Sequence, residues 1–234
     1  MTTRRAHHPP PPLVVEVQAP YACFTRPEFK TERLSYPVMT PSAAKGVLEA
    51  IFWKPEFSYR IEQIEVLQPI RWMSIRRNEV SSMLTVGWIR EAMSDPSLRF
   101  DAEADRDQRN MVCLRDVAYR IHAQVRLRPH ATDPDAKYRD QFRRRVERGS
   151  SYSQPFLGVR EFSASFHPPT PRSPIPHDEQ LGVMLHSIRY DDMGESYRWF
   201  HAKLRQGVLT VPKHGVELPT GQSTTQAVRT GGRS

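Results

Sequence analysis

Cysteine is nearly absent: Cys23 and Cys113 are the only two in 234 residues, and neither has further ligands at metal-binding spacing. That usage excludes a disulfide framework or a zinc site of common spacing and fits a reducing cytosol. Long apolar runs are missing too. No stretch approaches the ~20 residues that a membrane span needs. Residues 1–8, followed by four prolines, lack the apolar segment of a secretory signal. A soluble, cytoplasmic protein with no membrane partner is expected. The sequence contains no Walker loop, dinucleotide fingerprint, zinc motif or nucleophile elbow. Acids such as Asp191 and Asp192 occur, but no paired set has the context of a two-metal nuclease. Neither a metal nor a cofactor is expected.

What the chain does have is positive charge. Lys and Arg number 34 against 26 Asp and Glu, a formal excess of +8, which points to an acidic partner, nucleic acid first. The excess is clustered, most clearly in Lys137, Arg139, Arg143, Arg144, Arg145 and Arg148.

Periodicity predicts an α+β chain. Residues 13–19 alternate as a strand. A basic loop carrying Arg26, Lys30 and Arg33 follows, then a helix over 41–53. Thr40 suits its N-cap and Pro41 its first position, with Ala44, Val47, Leu48 and Ile51 on one face. A strand over 59–70 changes parity between Ile61 and Ile64, which predicts a bulge. Residues 71–112 are hard to read; 84–89 suit a hairpin or a helical turn equally. Period two is cleanest over 117–127, with Val117, Tyr119, Ile121, Ala123, Val125 and Leu127 on one side. A helix over 136–148 carries the stripe Tyr138, Phe142 and Val146 and ends at Gly149. A strand over 162–166, a proline-rich connection over 167–179, strands over 181–190 and 207–211, and a short helix over 195–205 complete the reading. Strand, helix, strand, strand, helix, strand is the order of a ferredoxin-like, RRM-like unit. The expected organisation is a disordered leader (1–12), this unit (13–166), a smaller β-rich C-terminal region (167–213) and a disordered tail (214–234). The aromatic RNP signature is absent, so base stacking across the open sheet is not expected.

Four blocks carry a resemblance to a known family: "YACFTRPEFKTERLSYPVMTPSAAKGVLEAIFWKP" at 21–55, "IRRNEV" at 75–80, "KYRDQFRRRVERG" at 137–149 and "QPFLGVREFSASF" at 154–166. Together they resemble the subtype I-C branch of the CRISPR-associated Cas-five family, over roughly residues 13–211. The resemblance implies an RRM-like (RAMP) core and an endoribonuclease that cuts precursor crRNA in its repeat and keeps the 5′ handle. It also implies a place in a type I-C Cascade surveillance complex, beside Cas-seven backbone subunits and the large Cas-eight subunit. In that family a Lys-His pair opening the second helix does the chemistry, with a tyrosine before the Trp-Lys-Pro that closes the first helix. Lys137 matches the lysine. The histidine position is Tyr138 and the tyrosine position is Phe52.

Metal-free RNA cleavage needs a base for the 2′-hydroxyl, an acid for the leaving 5′-oxygen and a cation for the phosphorane. The catalytic candidates are therefore Lys137 for charge and Tyr138 for orienting the hydroxyl or donating a proton, with His122 a substitute base. Each has a plainer reading: Lys137 as a phosphate contact, Tyr138 as core, His122 as a surface histidine. The candidate RNA-phosphate contacts are Arg26, Lys30, Lys45, Lys54, Arg76, Arg77, Arg143, Arg144 and Arg160. Lys45 is also spaced to pair with Glu49, and Arg160 to pair with Glu161. Two other readings stand beside the nuclease: a non-catalytic scaffold holding the crRNA handle, and a contact to target double-stranded DNA within the complex.

Overall fold

A 22-residue strand, Arg106–Leu127 (β5), is the spine of the computed structural model, which describes residues 10–29, 32–191 and 194–217. Three strands pair with β5 in antiparallel register: Leu13–Ala22 (β1), Phe57–Val66 (β3) and Trp72–Val80 (β4). The two-residue strand Arg33–Leu34 (β2) joins it in parallel. Ser165–His167 (β6) pairs with the outer side of β1. Glu179–Asp191 (β7), Gly194–Arg205 (β8) and Val208–Thr210 (β9) continue the sheet on the far side of β3, in the order β6-β1-β5-β3-β9-β8-β7. The architecture is α+β, dominated by antiparallel sheet.

Two helices lie on one face. Pro41–Ile51 (α1) buries Pro41, Ala44, Val47, Leu48 and Ile51 against β3, and Asp135–Glu147 (α3) buries Tyr138, Phe142 and Val146 against β5 and β1. The sheet side of this core holds Val15, Val17, Ile64, Tyr119, Ile121 and Ala123. Thr40 Oγ1 accepts the Ala43 N–H at 3.2 Å and so satisfies one of the four donors that a helix start leaves open. Thr40→Ala is expected to destabilise the fold by about 1 kcal/mol, read as a lower urea midpoint at unchanged slope. After the C-terminus of α3, Gly149 takes φ 62°, where a Cβ is disfavoured, and its N–H returns to Val146 O at 3.2 Å.

The opposite face of the sheet is polar but not open. Glu16, Glu65 and Arg120 are buried there. Arg120 bonds Glu16 Oε1 at 2.7 Å and Glu65 Oε2 at 2.5 Å, and donates to the carbonyls of Thr170 and Arg172. Thr170 N–H donates to Glu16 Oε1 at 2.7 Å. The proline-rich connection is thus strapped across the polar face of the sheet.

Several expectations change. Residues 195–205 form strand β8, not a helix: Tyr197 and Trp199 favour strand, and Phe200, Ala202 and Leu204 are buried while His201, Lys203 and Arg205 are exposed, a period of two. The ambiguous region is an extension of the spine: β4 and the first part of β5 form a long hairpin. Between them a helix, Val86–Ser94 (α2), is capped by Thr85 Oγ1 accepting from Trp88 N at 3.2 Å. The strand expected over 59–70 runs from Phe57 to Val66, with the register shift at Ile61 and Gln63 where the parity change put a bulge. The strand expected over 162–166 shortens to β6, because Phe162 closes a turn with Val159 and Leu157. Residues 1–9 and 218–234, most of the expected leader and tail, lie outside the described residues. Residues 10–12 are described: Pro10 O accepts from Gln124 Nε2 at 2.9 Å and Pro11 O from Arg139.

Candidate active site and basic groove

The loop after β5 delivers Lys137 to the first turn of α3. Asp133, four residues earlier, holds its ammonium at 2.7 Å. The Lys137 side chain remains 55% exposed, and the Asp133 hydrogen bond, then its charge, push its pKa above the usual lysine value. Lys137 is therefore a fixed, solvent-facing cation throughout the neutral range.

Tyr138, its neighbour, points the other way. It is 1% exposed, its ring centroid lies 5.0 Å from that of Phe57, and its hydroxyl is buried with no hydrogen-bond partner. Burial, then the Glu56 carboxylate, raise its pKa. A tyrosine so placed keeps its proton and can donate it; it is not a base at neutral pH. Phe52, where α1 ends, lies on the other side of Phe57 with ring centroids 5.5 Å apart. Arg145 covers Phe52 at 5.4 Å and donates to Ile51 O, and Tyr59 OH donates to Phe52 O at 2.7 Å. Phe52 and Tyr138, far apart in sequence, thus belong to one cluster linked through Phe57, and Lys137 is the residue before Tyr138.

His122 is not part of it. Its Nε2 contacts Glu65 Oε1 at 2.8 Å on the strapped face, and the alternation of β5 sets it across the sheet from α3. Two residues that were not singled out in the sequence lie nearer. Glu56, just before Phe57, keeps Oε2 buried and unpartnered, and His130 Nε2 sits 3.1 Å from Pro55 O. Neither belongs to a motif; the β3–β5 register brings them here.

The predicted phosphate contacts divide into groups. Arg26 stacks over the Tyr36 ring at 4.6 Å, and Lys54 is half-buried next to Trp53. Arg76 and Arg77 are on β4. Arg77 bonds Glu79 and, at 3.4 Å, Glu161, so Glu161 pairs with Arg77 rather than with the exposed Arg160. Arg143 pairs with Asp140 at 3.0 Å on α3 beside exposed Arg144. Lys45 pairs with Glu49 at 3.3 Å. Lys30 lies outside the described residues.

Lys45 also lines a groove of about 1020 Å³ between α1 and β7. Arg60 of β3, Arg128 just after β5 and Arg189 of β7 line it as well, with Phe156 and Tyr190 exposed at its walls. These three arginines were missed, because 129 residues of chain separate Arg60 from Arg189 and only the sheet order joins them. Among the described residues no three His, Cys, Asp or Glu side chains are grouped to hold a metal ion, and no helix is long and apolar enough to cross a membrane.

Comparison with known proteins gives the family. The family model Cas_Cas5d, described as "CRISPR-associated protein (Cas_Cas5)", matches residues 12–212. A Thermus thermophilus protein named CRISPR pre-crRNA endoribonuclease Cas5d is 43% identical over 219 residues, covering 86% of this chain and 91% of its own. A protein of the same name from Mannheimia succiniciproducens is 42% identical over 205 residues, covering 82% and 91%. A solved structure titled "Crystal Structure of CRISPR-associated Protein" superposes with TM-score 0.63 at 21% identity, over 87% of this chain and 92% of that one, a likeness of fold. A family model spanning nearly the whole described chain, and two relatives above 40% identity, leave one assignment: the chain belongs to the Cas5d family of CRISPR-associated proteins.

Proposed function

We propose that this protein is a metal-independent endoribonuclease that cuts precursor crRNA within its repeat. It then holds the 5′ handle as a subunit of a type I-C Cascade complex, beside Cas-seven and Cas-eight subunits. The observation that carries the reading is the presentation of Lys137, a solvent-facing cation braced by Asp133 at the start of α3. The names of the two curated relatives support it. In this reading Lys137 stabilises the phosphorane charge. Tyr138 supplies a proton toward the leaving oxygen after a small local opening, while the proton of the attacking 2′-hydroxyl passes to solvent water. Arg143 and Arg144 on α3, with Arg26, Lys30, Lys45, Lys54, Arg76, Arg77 and Arg160, hold phosphates. The fold is read as a ferredoxin-like, RAMP-type unit over 13–166 with a β-rich addition over 167–213; the strand order β6-β1-β5-β3 supports this, since it runs fourth, first, third, second.

The test is incubation of the purified chain with its own repeat RNA in EDTA. The expected result is one cut leaving a 2′,3′-cyclic phosphate. Tyr138→Phe is expected to slow that cut roughly ten- to hundredfold with RNA affinity retained, measured in single turnover. An equal rate would return Tyr138 to the core.

The second reading is a handle-binding scaffold without chemistry. It is favoured by Phe52, which has no ionisable hydrogen, and by the solvent-shielded Tyr138 hydroxyl. Tight binding of the repeat with no product in EDTA or in Mg²⁺ would establish it. Contact with target double-stranded DNA belongs to the assembled complex; affinity for duplex DNA that outlasts repeat-RNA affinity at raised salt would mark it.

A further inference from the structure

We propose that the groove along α1 is the path of a single RNA strand leading to Lys137, with Arg128 and Arg189 holding phosphates and Tyr190 and Phe156 stacking bases. The inference deepens the endoribonuclease reading and rests on it for the identity of the nucleic acid. Four observations carry it.

The charge in the groove is uneven in a telling way. Lys45 is tied to Glu49 and Arg60 to Glu62, whereas Arg128 and Arg189 are exposed with no ion pair among the described residues. Glu49 is the one acid in the lining. Two uncommitted guanidinium groups therefore face a cleft with little opposing charge, and they can take phosphate without first breaking a bridge.

The aromatics are on the outside. Tyr190 is 73% exposed and Phe156 is exposed as well. Large rings left in water at the rim of a basic groove match what a sequence-tolerant single-strand site needs: cations along the backbone and flat faces for the bases. A groove of about 1020 Å³ has room for a few nucleotides.

The groove also points at the catalytic candidate. Arg128 N–H donates to Glu56 O at 2.8 Å, and Ser58 and Tyr59 line the groove immediately beyond Phe57. Phe57 is the ring against which Tyr138 packs. The β3 wall of the groove thus adjoins the ring against which the first turn of α3 packs. Lastly, the usual RNA platform of this topology is occupied here, since the 168–172 strap closes the polar face of the sheet through Arg120 and Glu16. The groove is a basic concavity that stays open among the described residues.

The test measures binding of the full chain to a short single-stranded oligouridylate by fluorescence anisotropy across a salt series, so no cleavage is involved. Replacing both Arg128→Ala and Arg189→Ala is expected to lower affinity about tenfold or more and to flatten the log-affinity against log-salt slope by about 1.4. Tyr190→Ala is expected to lower affinity about fivefold or more with the slope unchanged. Lys203→Ala with Arg205→Ala removes the same charge from exposed β8 and is expected to stay within about twofold to threefold of wild type. The proposal is overturned if the groove variant binds like wild type, if it loses no more than the β8 control, or if it loses affinity for duplex DNA alone. The outcomes also separate the two readings. Oligouridylate held through these arginines by a protein that never cleaves leaves the groove standing and the nuclease fallen. Repeat cleavage with oligouridylate binding untouched by the arginine changes does the reverse.

Discussion

Lys137→Ala is expected to reduce single-turnover cleavage of the repeat RNA by about a hundred- to a thousandfold, the cost of removing one group that meets transition-state charge. RNA affinity should fall by only a few-fold, since many other cations contact phosphate. Folding should be untouched: the side chain is more than half exposed and its one partner is Asp133, four residues away on the surface. Lys137→Arg keeps charge but replaces a compact ammonium with a planar fork, so it should recover part of the rate. Asp133→Ala leaves the cation in place and removes its brace. It should slow cleavage less than Lys137→Ala and draw the lysine back toward its ordinary pKa. Because the Asp133 contact raises that pKa, loss of rate through lysine deprotonation should begin only above the ordinary lysine range. A Lys137→Ala protein that cleaves at the wild-type rate would remove Lys137 from the chemistry.

How much of this was legible before the fold was known depended on where each signal resided. α1 and α3 were readable because cap, stripe and stop are local: Thr40 and Pro41, Tyr138-Phe142-Val146, then Gly149. The core half of β5 was readable because a strand with one covered face alternates strictly. Its first half was not: β4 does alternate in burial, but its inner face mixes Met73 and Ile75 with Arg77 and Glu79, so the hydrophobic pattern fades along the hairpin. β8 was misread for a related reason: Arg198, Lys203 and Arg205 look like the polar face of a helix until Phe200, Ala202 and Leu204 are seen to alternate. The candidate cluster was half legible. Lys137 and Tyr138 are adjacent, but nothing local shows that Phe57 joins them to Phe52, or that Glu56 is alongside. The groove was illegible. Arg60, Arg128 and Arg189 become neighbours only because β9 and β8 extend the sheet from β3 to β7.

The second large effect is on stability and concerns Arg120. Arg120→Ala should destabilise the fold by about 3–5 kcal/mol at neutral pH, because it leaves two buried carboxylates without their shared cation. Against a total of roughly 5–15 kcal/mol for a domain, that is a third or more of what holds the chain folded. The sign of the pH dependence distinguishes this cause from simple loss of packing. In the wild type, burial alone would raise the Glu16 pKa. The Thr170 backbone N–H, Arg120 and the Thr170 hydroxyl outweigh burial and bring it below the ordinary glutamate value. A folded-state pKa that is depressed contributes stability present above the unfolded value and lost as pH falls through the folded one. With Arg120 gone, burial is opposed by the Thr170 hydrogen bonds and the more distant His167, 3.9 Å away, so Glu16 protonates at higher pH in the folded variant than in the wild type. Acid should then relieve the variant while it weakens the wild type, and the gap between them should narrow between about pH 7 and about pH 4. Urea unfolding at a series of pH values reads this directly, with an unchanged slope showing that the same surface is exposed on unfolding. A gap that stays constant across the series would mean that Arg120 acts through packing alone. A gap that narrows identifies the strap over the sheet as held by charge, and makes the closed polar face a property of the Arg120–Glu16–Glu65 cluster rather than of the proline-rich chain that crosses it.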